Sequence, residues 1–223
     1  MPAIQTPLAF HNHPDCTLCP LHESARSVGV GTVCHHVGGR SALIVVGQNP
    51  GADEDRAGIP FIGRSGRLLK SVYIAPLLRS GVDPTVYLTN PARCGPDSPV
   101  PSRSLRICSE AHLIPEVDRI IQHHSKTVVL ATGSAACSVL SGHKLGSPWS
   151  LTREAFSRQP LQWSDTSVVY FTYHPAAVLR KPTLGHVVAD HLELIRNWFL
   201  ELTPTISRPT IIPPGPPPNE NLH

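Results

Sequence analysis

Four short runs of continuous apolar residues constrain this chain more than any other feature. They are Ala42–Val46 (ALIVV), Val86–Thr89 (VYLT), Thr127–Ala131 (TVVLA) and Val168–Thr172 (VVYFT). Each is too short for a helix and lacks the in–out alternation of a half-exposed strand, so each fits a strand buried on both faces. The stretches between them carry helical spacing. Ser65 to about Ala75 has Leu68, Leu69 and Val72 on one side and Pro76 near its end. Leu105–Gln122 is helical with Pro115 as a break or kink, and Ser134–Leu140 is a small-residue helix. Gly185–Leu202 places Val188, Leu192, Ile195 and Phe199 on one stripe. Strands alternating with helices predict an α/β fold: a three-layer α/β/α sandwich around a central, mainly parallel four-stranded sheet. The 223 residues suffice for one such domain with tails. The expected division is a Cys-bearing segment packed on the core (1–25), the domain (26–202), and a disordered proline-rich tail (203–223).

Charged residues make up only 16% of the chain and the net charge is +3, which permits a local basic face for phosphates without announcing one. No apolar run approaches the roughly 18 residues of a membrane span, and no charged-then-apolar leader opens the chain. The expected compartment is therefore the cytoplasm, where paired cysteines more often bind metal than form disulfides. Cys16-x-x-Cys19 is half of a metal clamp, and Cys94 with Cys108 can supply the other half. Alternatively, the first pair with Cys34-His35-His36 makes a zinc set. Cys137, in the small-residue helix, reads as a buried hydrophobe.

Ligands of open parallel sheets bind beyond the carboxyl ends of the strands. Polar residues collect there: Gln48 and Asn49 after the first run, Asn90 after the second, His174 after the fourth. The set holds no nucleophilic Ser or Cys and no paired carboxylate. It suits recognition of a flat polar heterocycle, with an amide reading the edge and an imidazole holding developing negative charge. Phe61, in a Gly/Pro-rich loop, is either a stacking plate for a base or a plug for the core. Asp53, Glu54 and Asp55 could form a general-base cluster but read better as a solvated turn or a cap with Arg56, with Asp55 ordering the loop.

Five blocks in order resemble the iron–sulfur, family-4 branch of the uracil-DNA glycosylase superfamily. They are Cys16-x-x-Cys19, GQNPGADEDRAGIPFIGRSGRLL (47–69), YLTNPARC (87–94) followed by Cys108, VVLATGSAACSVLSG (128–142), and TYHPAAVLRKP (172–182). The resemblance implies a base-excision-repair enzyme that hydrolyses the N-glycosidic bond of uracil, or a related deaminated base, in DNA. It implies a [4Fe–4S] cluster on Cys16, Cys19, Cys94 and Cys108. Phe61 would stack on the flipped base, Asn90 would read its edge, and His174 would donate to its O2. Gly47, Gln48 and Asn49 would line the sugar and the attacking water, and Gly51 would leave room beside the base. Ser65, Gly66, Arg67, Ser134, Arg180 and Lys181 would contact DNA, single-stranded or double-stranded, with the chain acting as a monomer.

One departure stands out. The family's Gly-Glu-Ala-Pro-Gly is Gly-Gln-Asn-Pro-Gly here, so the acidic residue is absent and an amide is positioned for water, as in the mismatch-directed and single-strand-selective branches. The basic His-containing insert of the uracil-crosslinking branch has no counterpart in Gly95–Arg106. Two alternatives follow: a glycosylase for a different or modified base, and an iron–sulfur nucleic-acid-binding protein with weak catalysis.

Overall fold

The computed structural model describes residues 8–25, 29–95, 99–145 and 160–201. The expected tail, 203–223, and the last residue of the expected final helix, Leu202, lie outside them. The strands are β1 (Val33–His36), β2 (Ser41–Val46), β3 (Thr85–Thr89), β4 (Lys126–Thr132), β5 (Leu161–Ser164) and β6 (Ser167–Thr172). They form one sheet in the order β1-β3-β2-β4-β6-β5. The four apolar runs are its parallel centre, β3-β2-β4-β6. The sheet is thus six-stranded rather than four-stranded, because β1 and β5 add antiparallel edges. Edge strands are half-covered and need no apolar run. β1 reads VCHH and β5 reads LQWS, where only Leu161 and Trp163 turn inward.

Neighbouring residues of the central strands enter opposite cores. Ala42, Ile44 and Val46 pack with Leu113, Val117, Ile120 and Leu140, whereas Leu43 and Val45 pack with Leu69, Tyr73, Val188 and Ile195. This two-sided burial, worth roughly 1.5–3 kcal/mol per large aliphatic side chain, makes the fold a three-layer sandwich. The layers come from α1 (Leu21–Ser24), α2 (Ala52–Ala57), α3 (Arg64–Leu68), α4 (Ala75–Arg79), α5 (Ser102–Cys108), α6 (Ile114–His123), α7 (Gly133–Leu145), α8 (Pro175–Arg180) and α9 (Leu184–Phe199).

The two internal prolines do not end their helices. A π-turn, Leu69–Ile74, joins α3 to α4, and a second, Ser109–Leu113, joins α5 to α6. In each, the residue before the proline reaches back five positions: Ala75 N–H to Lys70 O, and Ile114 N–H to Ser109 O. Proline has no N–H and its ring crowds the carbonyl four residues back, and the wider turn takes up that mismatch. Pro76 and Pro115 therefore sit in the first turn of a continuing helix.

Candidate active site

The chain leaves β2, runs to β3, then crosses to β4 on the other side of β2. The strand order reverses at β2/β4, where an open parallel sheet makes a crevice at its carboxyl rim. Two hydrogen bonds lock the first two rim loops together: Gly47 N–H donates to Thr89 O at 2.9 Å, and Ala92 N–H donates to Gln48 O at 3.1 Å. Their approach is so close that a Cβ on Gly47 would lie 2.4 Å from Asn90 Oδ1 and 2.6 Å from Phe61 Cζ. Glycine is required there for space.

Phe61 adopts φ +58°, the left-handed region that a bulky residue enters at a cost of roughly 1–2 kcal/mol. The surrounding loop holds it there. Gly66 packs on the Phe61 carbonyl, which a Cβ would approach to 2.0 Å. Glu54 Oε1 accepts from Gly63 N–H at 2.7 Å. Phe61 is buried in the core, and its ring edge also lines the crevice. The expected solvated turn is found only at Asp53, which pairs with Arg56 at 2.7 Å. Glu54 and Asp55 are buried, because their carboxylates face the loops bearing Gly51 and Gly63, and Gly95. On its Glu54 side Gly51 is bounded rather than open, since a Cβ would meet Glu54 Oε2 at 2.7 Å.

His174 follows β6 and caps α8, with its Nδ1 accepting from Ala176 N–H at 3.2 Å. That bond places the proton of the neutral ring on Nε2. Burial, reinforced by nearby Arg180, pushes the imidazole down to about 4, so near neutral pH the group is an uncharged Nε2–H donor. Gly133, at φ +86°, brings the start of α7 under it, where a Cβ would lie 2.9 Å from His174 Cβ. The Phe61 and His174 rings are near parallel, at 28° with centroids 6.4 Å apart. Gly47, Phe61, Asn90 and His174 therefore meet within the reach of one planar ring.

Gln48 is exposed. Asn49 is half-buried, with Nδ2 donating to Pro50 O at 2.9 Å. Arg67, Ser134, Arg180 and Lys181 are exposed around this rim, Ser65 is half-buried, and Gly66 is buried beneath Phe61.

The four cysteines of the two pairs occupy one flank. Cys94 and Cys108 are buried, Cys16 and Cys19 half-buried, and all four are free thiols. Cys94 feels both Cys16 and Cys19, and Cys108 feels Cys94 and Cys19. Burial raises both inner thiols, Cys108 to about 11. Each inner sulfur also receives a backbone N–H, from Gly29 on Cys94 and from Arg93 on Cys108 at 3.3 Å. Cys16 Sγ lies 3.4 Å from His112 Nε2, and the His112 ring stacks on His13. Among the described residues no three His, Cys, Asp or Glu side chains converge as tightly as the ligands of one ion. Cys34 instead faces the His36 carbonyl on the edge strand, and Cys137 is buried as expected.

Arg93 joins this flank to the rim, and little in the sequence marked it. Its guanidinium is 1% exposed and meets Glu116 Oε2 at 2.6 Å. It also donates to Thr89 Oγ1 at 2.7 Å and Thr32 Oγ1 at 3.2 Å. The Thr32 hydroxyl also meets Glu116 Oε2, and Glu116 Oε1 lies 3.5 Å from His13. The only available signal was an arginine beside a candidate ligand cysteine.

Residues 35–200 match the sequence model of the family described as the Uracil DNA glycosylase superfamily. The chain is 30% identical over 190 residues to a type-4 uracil-DNA glycosylase of Thermotoga maritima, spanning 82% of this chain and 89% of that protein. It is 30% identical over 201 residues to a type-4 uracil-DNA glycosylase of Archaeoglobus fulgidus (86% and 92%). Over 174 residues it is 29% identical to one of Pyrobaculum aerophilum (76% and 82%).

Proposed function

This chain belongs to the uracil-DNA glycosylase superfamily, and from that premise we propose that it hydrolyses the N-glycosidic bond of uracil in DNA. The observation that carries the reading is the convergence of Phe61, Asn90 and the neutral His174 around Gly47. Bond cleavage leaves positive charge on the sugar and negative charge on the departing base. The base must first leave the stack to reach the crevice. Phe61 stacks on it, and the Asn90 amide offers a donor and an acceptor to its polar edge. His174 Nε2–H donates to O2 as charge develops there, an interaction made stronger by the half-buried setting. Asn49 orients the attacking water through its carbonyl oxygen. With Gln48 in place of an acid, the departing anion carries more of the work. Exposed Arg67, Ser134, Arg180 and Lys181 hold phosphates, so binding weakens steeply with salt.

The thiol quartet fits a [4Fe–4S] cluster on Cys16, Cys19, Cys94 and Cys108. The sulfurs share one electrostatic neighbourhood, and two of them receive N–H groups as cluster thiolates do. Cys16 and Cys19 of the N-terminal segment, Cys94 of the loop after β3 and Cys108 at the end of α5 would hold the cluster and so be tied together by it. Among the described residues no helix is long and apolar enough to cross a membrane. Six free thiols and no disulfide among the described residues suit a reducing compartment, which favours the cytoplasm.

The reading is tested by incubating the purified protein with single- and double-stranded oligonucleotides carrying uracil, hypoxanthine or a mismatched thymine. Abasic product from the uracil strand is expected, and retained DNA binding without product on any strand would overturn it. Anaerobically purified protein should be brown, with iron and acid-labile sulfide in equal amounts; a colourless zinc protein would refute the cluster. Gly47→Ala should slow uracil excision on the order of tenfold to a hundredfold, because its methyl must displace Asn90 or Phe61. Circular dichroism should show the fold retained.

A further inference from the structure

Tyr73 is buried to 1% exposure among aliphatic neighbours of the core, where a leucine or phenylalanine would pack without a polar atom to satisfy. Its hydroxyl donates to the Tyr173 carbonyl at 2.8 Å. That carbonyl belongs to the peptide plane whose nitrogen is His174's own, so the bond fixes the orientation of the plane from which His174 starts. Burial pushes the phenol upward, so it stays a donor throughout the working pH range. Tyr73 lies in the π-turn Leu69–Ile74, a wider turn of the kind often found where a side chain must be aimed. A second brace holds the same loop one residue earlier, where His191 Nδ1 meets Thr172 Oγ1 at 3.0 Å, both groups buried. The His174 side chain itself is held by its local bond from Ala176 N–H, by packing on Gly133 and by the facing Phe61 ring, while its carbonyl accepts from Ala177 N–H at 2.8 Å.

We propose that Tyr73 is a positioning residue for excision: its hydroxyl, reaching from the helix on one face of the sheet, holds the Tyr173–His174 peptide so that His174 Nε2–H points into the crevice. This rests on the functional reading above. The oxygen a base presents must meet that donor within a few tenths of an ångström for its developing charge to be stabilised. A slack peptide would let the ring swing without unfolding anything.

The test is a double-mutant cycle on the cluster-loaded protein, read by single-turnover uracil excision, with hydrogen exchange as an independent measurement. Tyr73→Phe should slow excision about three- to tenfold, the scale of one buried hydrogen bond, with DNA affinity unchanged. In the His174→Ala background the same change should cost nothing further. Backbone exchange over 172–178 should rise in Tyr73→Phe while that of 184–199 does not. Equal losses in both backgrounds, or unchanged exchange over 172–178, would overturn the inference. A wild-type protein that excises no uracil would instead overturn the functional reading, and the exchange measurement would still decide the role of Tyr73.

Discussion

Replacing His174 by alanine is expected to lower the single-turnover rate of uracil excision by about a hundredfold to a thousandfold, with DNA affinity nearly unchanged. The magnitude follows from removing one preorganised donor aimed at a forming oxyanion in a water-poor site, about 3 kcal/mol. The geometry that makes His174 such a donor is local. Its Nδ1 is occupied by Ala176 N–H, so Nε2 carries the proton. The ring needs no positive charge, since burial and then Arg180 hold it down to about 4. The pH profile should therefore show no inflection from this residue near the ordinary histidine value of 6.5, and the His174-dependent part of the rate should persist down to about pH 5. The stability sign follows from the same shift. Between 6.5 and about 4 the unfolded chain takes up a proton that the folded chain refuses. The contribution is fully present above pH 6.5 and declines as pH falls through that window. A His174→Ala protein with near-normal excision, or one that has lost only DNA binding, would remove the donor role.

Arg93→Ala is expected to destabilise the folded protein by about 3–5 kcal/mol, seen as a lower urea midpoint at unchanged slope. The guanidinium is the hub of a buried set: Glu116, Thr89 and Thr32 all bond to it, and the Glu116 side chain is only 12% exposed. Its removal strips that carboxylate of its guanidinium partner and leaves the Thr32 hydroxyl, His13 and His112 near it. Burial also shields the pair from salt, so the loss should be nearly the same at low and high ionic strength. Replacing both partners together, Arg93→Met with Glu116→Leu, should recover much of the loss, because no charge is then stranded. The consequence reaches the site, since Thr89 immediately precedes Asn90 and the Arg93 N–H rests on Cys108. A cost below about 1 kcal/mol for Arg93→Ala would mean the network is ornamental.

The contrast between β2 and β1 shows why only part of the sheet was legible. ALIVV is buried on both faces and spells its own burial, whereas VCHH sits at an edge where one side and one ladder of hydrogen bonds are missing. The helices around Pro76 and Pro115 were legible as helices but not as continuous ones. Whether a proline ends a helix or is absorbed by a π-turn depends on what the next turn packs against, here the same cores that hold Leu77 and Val117. In the loop 51–66 the sequence showed glycines and acids. Folding alone set Asp53 in solvent and placed Glu54 and Asp55 inside.

By itself, the sequence determined the parallel centre of the sheet, its two-sided core, and the rim residues Gly47, Asn49, Asn90 and His174. Strand burial and strand ends are local properties, written in consecutive residues. Only the tertiary structure decided the burial that keeps His174 uncharged, the packing of the Phe61 ring against Gly47 and His174, and the distant partners of Arg93 and Tyr73. Those depend on groups far away along the chain, a hundred residues in the case of Tyr73 and Tyr173. A side chain's neighbours, and the water they exclude, come into being only when the layers close.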